Sequence, residues 1–120
     1  MLDNVVDANT LVDDAFEHFV ILEVRAYLSY ARKHVDMCYW RSVSKFEVDL
    51  VVGDEVAIEI KATQQIADKH LKGLRALDEE GLVRRLVAVS LDTGERKTAD
   101  GIEILPWQVF LERLWSGELI

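Results

Sequence analysis

At 120 residues the chain is long enough for one domain around one core, and with half of its residues hydrophobic it is not a disordered tail. Its net charge of −8, from 14 basic and 22 acidic residues, argues against a simple nucleic-acid coat protein, but it leaves room for a carboxylate-based metal site with a local basic patch. No apolar run approaches the ~20 residues of a membrane span, the acidic start MLDNVVDANT is unlike a signal peptide, and a lone Cys38 points to the cytoplasm.

In chain order, the spacing predicts a first helix from Thr10, as its cap, to about Arg32. Leu11, Val12, Ala15, Phe16, Phe19, Val20, Leu22, Tyr27 and Tyr30 recur in it at helical intervals, with Glu17 and Glu23 among them. Taken alone, a Glu in such a helix is a solvated flank of the apolar stripe. Met37–Val43 (MCYWRSV), rich in aromatic and β-branched residues, predicts a strand, with Ser44-Lys45 as a tight connection to the next.

The stretch FEVDLVVGDEVAIEIKAT, residues 46–63, predicts a hairpin. Phe46–Val52 and Val56–Ala62 each alternate with period two, and Gly53-Asp54 between them is a turn signal. A two-residue loop would pair Asp49 with Ile58. A three-residue loop, Gly53-Asp54-Glu55, pairs Val52 with Val56 and Asp49 with Glu59. It places Phe46, Val48, Leu50, Val52, Val56, Ile58, Ile60 and Ala62 on one face, and Glu47, Asp49, Val51, Ala57, Glu59 and Lys61 on the other. A one-residue slip exchanges the faces of a strand, so the odd loop or a bulge is expected. Asp49 and Glu59 then stand opposed, about 5 Å apart at Cβ, an arrangement that is repulsive unless a cation intervenes.

A second helix is expected from Gln65 to about Glu79. Ile66, His70, Leu74 and Leu77 form its apolar side, Ala67 and Leu71 lie at the margin, and Lys69, Lys72 and Arg75 lie outward. That outer face is either a solvated surface or a nucleic-acid-binding patch. Val83–Ser90 predicts a central strand, joined to the hairpin by a right-handed crossover and so parallel to it. Ile102–Leu105 is a short last strand, and Pro106 opens a closing helix to about Trp115. The order helix, three-strand meander, helix, strand, strand, helix predicts a single α/β domain over residues 1–120, with a mixed central sheet and helices on both faces.

Asp49, Glu59 and Lys61 form the pattern D-x9-E-x-K. Residues two apart on a strand share a face, and the hairpin returns Asp49 to that place. Two carboxylates, a main-chain carbonyl such as that of Ile60, and waters form an oxygen site suited to Mg²⁺ or Mn²⁺. Such an ion activates water at a phosphodiester, and Lys61 can orient the attacking water or stabilise developing charge. The same charges also suit nothing more than the wet face of a hairpin.

The residues Phe16-Glu17 with Glu23, Trp40-Arg41, Glu47-Val48-Asp49 and Glu59-Ile60-Lys61 follow one another in a set order and spacing over positions 16–61. In them the sequence resembles the PD-(D/E)xK nuclease superfamily, and within it the nuclease-like domain at the C-terminus of many prokaryotic AAA-type ATPases. The resemblance implies a restriction-endonuclease-like three-layer fold and metal binding by Asp49 and Glu59. It makes Lys61 the catalytic lysine and Glu17 the helix carboxylate that completes the site, with Arg41 and Gln65 as accessory positions. Glu23 is a second candidate for the helix role, but it lies about 240° from Glu17 around the helix axis, so the two cannot face one metal. Val48 replaces the Pro of the motif's name.

No P-loop pattern is present, so the chain is expected to be an excised domain or a standalone relative. The implied activity is Mg²⁺-dependent hydrolysis of DNA, with an ATPase domain or subunit, or a second copy in a homodimer, as partner. The alternative is a catalytically silent module of the same fold that binds nucleic acid or protein. His18, His34 and His70 share no metal-site spacing, and Cys38 reads as a small hydrophobe.

Overall fold

A computed structural model describes residues 8–120. It shows α1 (Ala8–Tyr30), β1 (Met37–Arg41), β2 (Glu47–Val52), β3 (Val56–Ile60), a 3₁₀ turn (Asp68–Leu71), α2 (Lys72–Asp78), β4 (Arg85–Ser90), β5 (Arg96–Lys97), β6 (Glu103–Pro106) and α3 (Trp107–Trp115). The strands form one mixed sheet in the order β1-β2-β3-β4-β6-β5. The meander is antiparallel, β4 runs parallel to both β3 and β6, and β5 is antiparallel to β6. The α/β class, the mixed sheet and the parallel crossover therefore stand as expected.

Helix α1 buries Val20, Val24, Tyr27 and Leu28, one face at helical intervals. Thr10 is not its cap, since the helix already begins at Ala8. Its C-terminal end is closed by Arg32 in the left-handed region (φ 56°), with the Lys33 N–H donating to Leu28 O at 2.9 Å. Arg32 thus does what glycine usually does there. Helices α1 and α3 pack with Leu50, Val52, Ile58, Ile60, Val87 and Val89 on one side of the sheet. Helix α2 covers Val48, Val51, Ala57, Ala88 and Ile104 on the other.

The hairpin register matches the parity argument. Val52 pairs with Val56 and Leu50 with Ile58 around the loop Gly53-Asp54-Glu55, and Gly53 takes φ 53°. The expected assignment of faces needs correction at two points. Val51 and Ala57, placed with the charges, are buried beneath α2. Val48 joins that same cluster rather than the one holding Leu50 and Val52. The cause is a β-bulge: Cys38 pairs with Val51 and Trp40 with Val48, so Asp49 and Leu50 together oppose Tyr39. The extra residue shifts the alternation of β2 by one.

Other boundaries also shift. β1 stops at Arg41, because Ser42–Lys45 turn back, with the Lys45 N–H donating to Ser42 O at 3.0 Å; Val43 is fully exposed. The second helix begins later than Gln65, as a 3₁₀ turn leading into α2. This rotates Leu71, not His70, into the core. Pro106 ends β6, and α3 starts after it. The two-residue β5 was too short to show a period in the sequence.

Gly73 is where α2 meets the sheet. A Cβ built there would lie 1.8 Å from the carbonyl oxygen of Glu47. That oxygen belongs to the β2 backbone, so a side chain at position 73 must push helix and strand apart. Gly73→Ala is expected to lower unfolding stability by about 1–3 kcal/mol, the usual cost of overpacking. Gly94→Ala, which meets no atom within 4 Å, is the control and is expected to change stability little. Urea denaturation of both variants checks this.

Candidate functional site

Beyond Leu50 and Ile58 the β2–β3 ladder gives way to side chains. The Asp49 N–H donates to Glu59 Oε1 at 3.3 Å, and the Ile60 N–H donates to Asp49 Oδ2 at 2.8 Å. The two carboxylates thus accept the main-chain donors that parting strands release, which backbone groups at this depth require. Lys61 Nζ lies 3.9 Å from Glu59 Oε2. Glu59 is only 7% exposed, whereas the Lys61 side chain is 42% exposed and reaches solvent.

Burial, then the hydrogen bond and charge of Asp49, push the Glu59 carboxyl up to about 9 against the opposing pull of Lys61. At neutral pH Glu59 therefore keeps its proton. Glu17 on α1 is also raised, first by its partial burial and then by the charges of Asp49 and Asp14, while Lys61 acts in the opposite sense. Glu17 shares a surface groove of about 260 Å³ with Asp14, His18 and Ile21. Glu17, Asp49, Glu59 and Lys61, four positions far apart in sequence, thus act on one another.

Among the described residues, no three His, Cys, Asp or Glu side chains converge closely enough to hold a metal ion. The donor set that does meet is the Asp49–Glu59 pair, two hard oxygen ligands of the kind that Mg²⁺ and Mn²⁺ take. Glu17 reaches this pair through its field, and Ile60 joins it through its N–H.

The accessory positions lie elsewhere. Glu23 accepts a hydrogen bond from Trp115 Nε1 at 3.1 Å, which ties α1 to α3. Arg41 pairs with Glu47 at 3.8 Å on the exposed edge of the sheet. Gln65 sits in a turn whose N–H donates to Thr63 Oγ1 at 3.4 Å. In the basic set, Lys69 and Lys72 are exposed, but Arg75 is engaged by Asp100 at 2.9 Å and Asp68 at 3.3 Å. Its guanidinium braces α2 against the turn before β6.

Sequence reading missed three residues near this edge. Tyr39, opposite the bulge, has its phenol raised, first by the neighbouring Glu47 side chain and also by the Asp49 charge. Asp92 accepts from the Ser90 hydroxyl and from the Ile66 N–H at 3.3 Å, so it clamps the segment after β3 onto the end of β4. His70 feels both Lys61 and Asp92. Only Asp92 left a sequence signal, its place just beyond a buried strand.

The raised Glu59 has a consequence for stability. In the unfolded chain a Glu ionises near pH 4.3. Between there and about 9 the folded state holds a proton that the unfolded state has lost. Stability therefore falls as pH rises through that window, by up to about 1.4 kcal/mol per pH unit. Glu59→Gln, neutral at every pH, is expected to flatten this dependence and to raise stability at pH 8. Urea melts from pH 5 to pH 9 read the difference.

No curated protein and no solved structure matches the chain. Residues 13–110 match the family described as "Domain of unknown function (DUF4143)", a span of more than half the chain, and the chain belongs to that family.

Proposed function

We propose that the domain is a Mg²⁺- or Mn²⁺-dependent nuclease that hydrolyses DNA phosphodiester bonds, with a restriction-endonuclease-like fold of the PD-(D/E)xK type. In this reading an AAA-type ATPase domain or subunit is its partner. The observation that carries the reading is the meeting of Asp49, Glu59 and Lys61 beyond the end of the β2–β3 ladder, with Glu59 almost wholly buried. Burying opposed carboxylates is costly for a fold with no use for them, since like charges facing each other across a sheet are destabilising.

The chain's residues then divide the work. Asp49 and Glu59 would hold the divalent ion, Glu59 losing its proton on doing so, and the ion when bound would activate water and offset charge on the phosphate. Lys61, half in solvent, would orient the attacking water and steady the oxygen on which charge develops. Glu17, raised by burial and by Asp49, is suited to exchange a proton at the same edge. Water would add to phosphorus and lose a proton to solvent, the bond to one ester oxygen would break, and that oxygen would leave with a proton from solvent.

The net charge of −8 and the engagement of Arg75 favour a second reading, a nuclease-fold module that binds without turnover. One experiment separates the two. Thermal unfolding with Mn²⁺ is expected to show wild-type stabilisation of about 1.4 kcal/mol at tenfold excess over the dissociation constant, and none in Asp49→Asn. Plasmid nicking is expected to need Mn²⁺ or Mg²⁺ and to fall at least about a hundredfold in Glu59→Gln and Lys61→Ala. Stabilisation without nicking would support the binding module, and the absence of both responses would sink the metal site.

A further inference from the structure

We propose that the groove between Phe46 and α2 is a subsite for one nucleotide of a single-stranded nucleic acid, with the base stacked on Phe46 and its phosphate held by Lys72. The inference rests on the phosphodiester reading above and names the form of strand that is presented to the Asp49–Glu59 edge.

The groove follows from how α2 meets the sheet. Lys72, Arg75, Ala76 and Glu79 recur at i, i+3, i+4 and i+7, so they share one stripe of the helix and its C-terminal cap. Leu71, Leu74 and Leu77 form the buried stripe beside it. Gly73 admits the Glu47 backbone against the helix, since a Cβ there would lie 1.8 Å from the Glu47 carbonyl oxygen. Phe46, one residue before Glu47, is thereby brought beside the outer stripe. Phe46, Lys72, Arg75, Ala76 and Glu79 together line one open groove of about 390 Å³. Small-ligand sites span roughly 300–1,000 Å³.

Phe46 is fixed through its backbone while its ring stays open. The Ser42 N–H donates to Phe46 O at 2.8 Å, and the Phe46 N–H donates to Ser42 Oγ at 3.0 Å. Lys45, in the left-handed region at φ 69°, closes that turn. Phe46 remains 41% exposed, although the strand enters the core two residues later at Val48. A held aromatic ring beside a cation is the pairing that single strands use: the base stacks and the phosphate meets the charge.

The charges give the groove a direction. Lys72 is exposed and makes no ion pair among the described residues. Arg75 is already matched by Asp68 at 3.3 Å and Asp100 at 2.9 Å, so Lys72 is the cation left for a phosphate. Glu79, about 10 Å from Lys72 along the helix axis, repels a phosphate and sends it to the Lys72 end. A base reaches Phe46 only with one face free, and in a duplex both faces are stacked. Phe46 precedes Asp49 by three residues, about 10 Å along the strand. The nucleotide in the groove is thus a neighbour of the one at the carboxylates.

Fluorescence anisotropy of a labelled oligothymidylate, with the metal-free protein in EDTA at low salt, tests the assignment, and a duplex of the same length is the comparison. The expected result is saturable binding of the single strand and weaker binding of the duplex. Phe46→Ala should weaken strand binding about tenfold, as for loss of one stacked base, and Phe46→Trp should bind at least as well as wild type. Lys72→Ala should weaken it and lower the slope of log affinity against log salt by about 0.7, the effect of one phosphate contact on a single strand. Glu79→Gln should tighten it. Lys72 and Glu79 are exposed, so these two variants serve if Phe46→Ala does not fold. No strand binding, or variants that bind as wild type does, would overturn the proposal. So would equal affinity for the duplex, or thymidine monophosphate competing as well as the strand, which would mark a free-nucleotide site. The titration involves neither metal nor turnover. Phe46-dependent strand binding without metal-dependent nicking keeps the subsite and overturns the hydrolase reading; nicking with no effect of Phe46 on strand affinity does the reverse.

Discussion

Two carboxylates facing each other where a β-hairpin opens are the constraint to which much of the structure answers. Asp49 and Glu59 are forced together by the loop length and by the need to bury the apolar residues around them. Near-complete burial of Glu59 makes two negative charges untenable, so the pair keeps a proton. The same side chains accept the Asp49 and Ile60 N–H groups left when the ladder ends. Hairpin and candidate site are therefore one object: removing either acceptor leaves a main-chain donor without its partner.

The position of β2 is set from two sides. On one edge the bulge opposite Tyr39 shifts its alternation, which sends Val48 under α2 and Leu50 under α1. On the face, Gly73 lets α2 come so close to the Glu47 carbonyl that no side chain fits between them. A strand held in this way has little freedom to slide, and this keeps Asp49 beside Glu59 where the ladder ends. The bulge lies at the residue whose placement matters most, as is common beside functional sites.

Charges at the two ends of the parallel strands do different work. At the start of β4, Arg85 bonds Glu103, and Arg113 reaches Glu95, Glu103 and Glu118, so acids and bases are matched in a network that ties β4, β6 and α3 together. At the carboxyl ends of the same strands lie the less evenly matched groups: Glu59 and Lys61. Open α/β sheets commonly bind ligands beyond the carboxyl ends of their strands. The proposed chemistry thus draws on charges that the fold does not consume in holding itself together.

The sequence alone determined the class of the fold, the three-residue loop, the Asp49–Glu59 opposition and the parallel crossover. Each follows from short-range periodicity and chain connectivity, and a pattern of period 2 or 3.6 records these directly. The bulge, the close approach at Gly73, the shift of Leu71 into the place expected for His70, and the capture of Glu23 and Arg75 by Trp115, Asp68 and Asp100 were decided only by tertiary packing. Neither partner in such a contact carries a mark of the other in its local spacing. Burial of Glu59 belongs with these: alternation put it on a charged face, and only the folded surroundings that bury it made it a carboxyl that holds its proton at neutral pH.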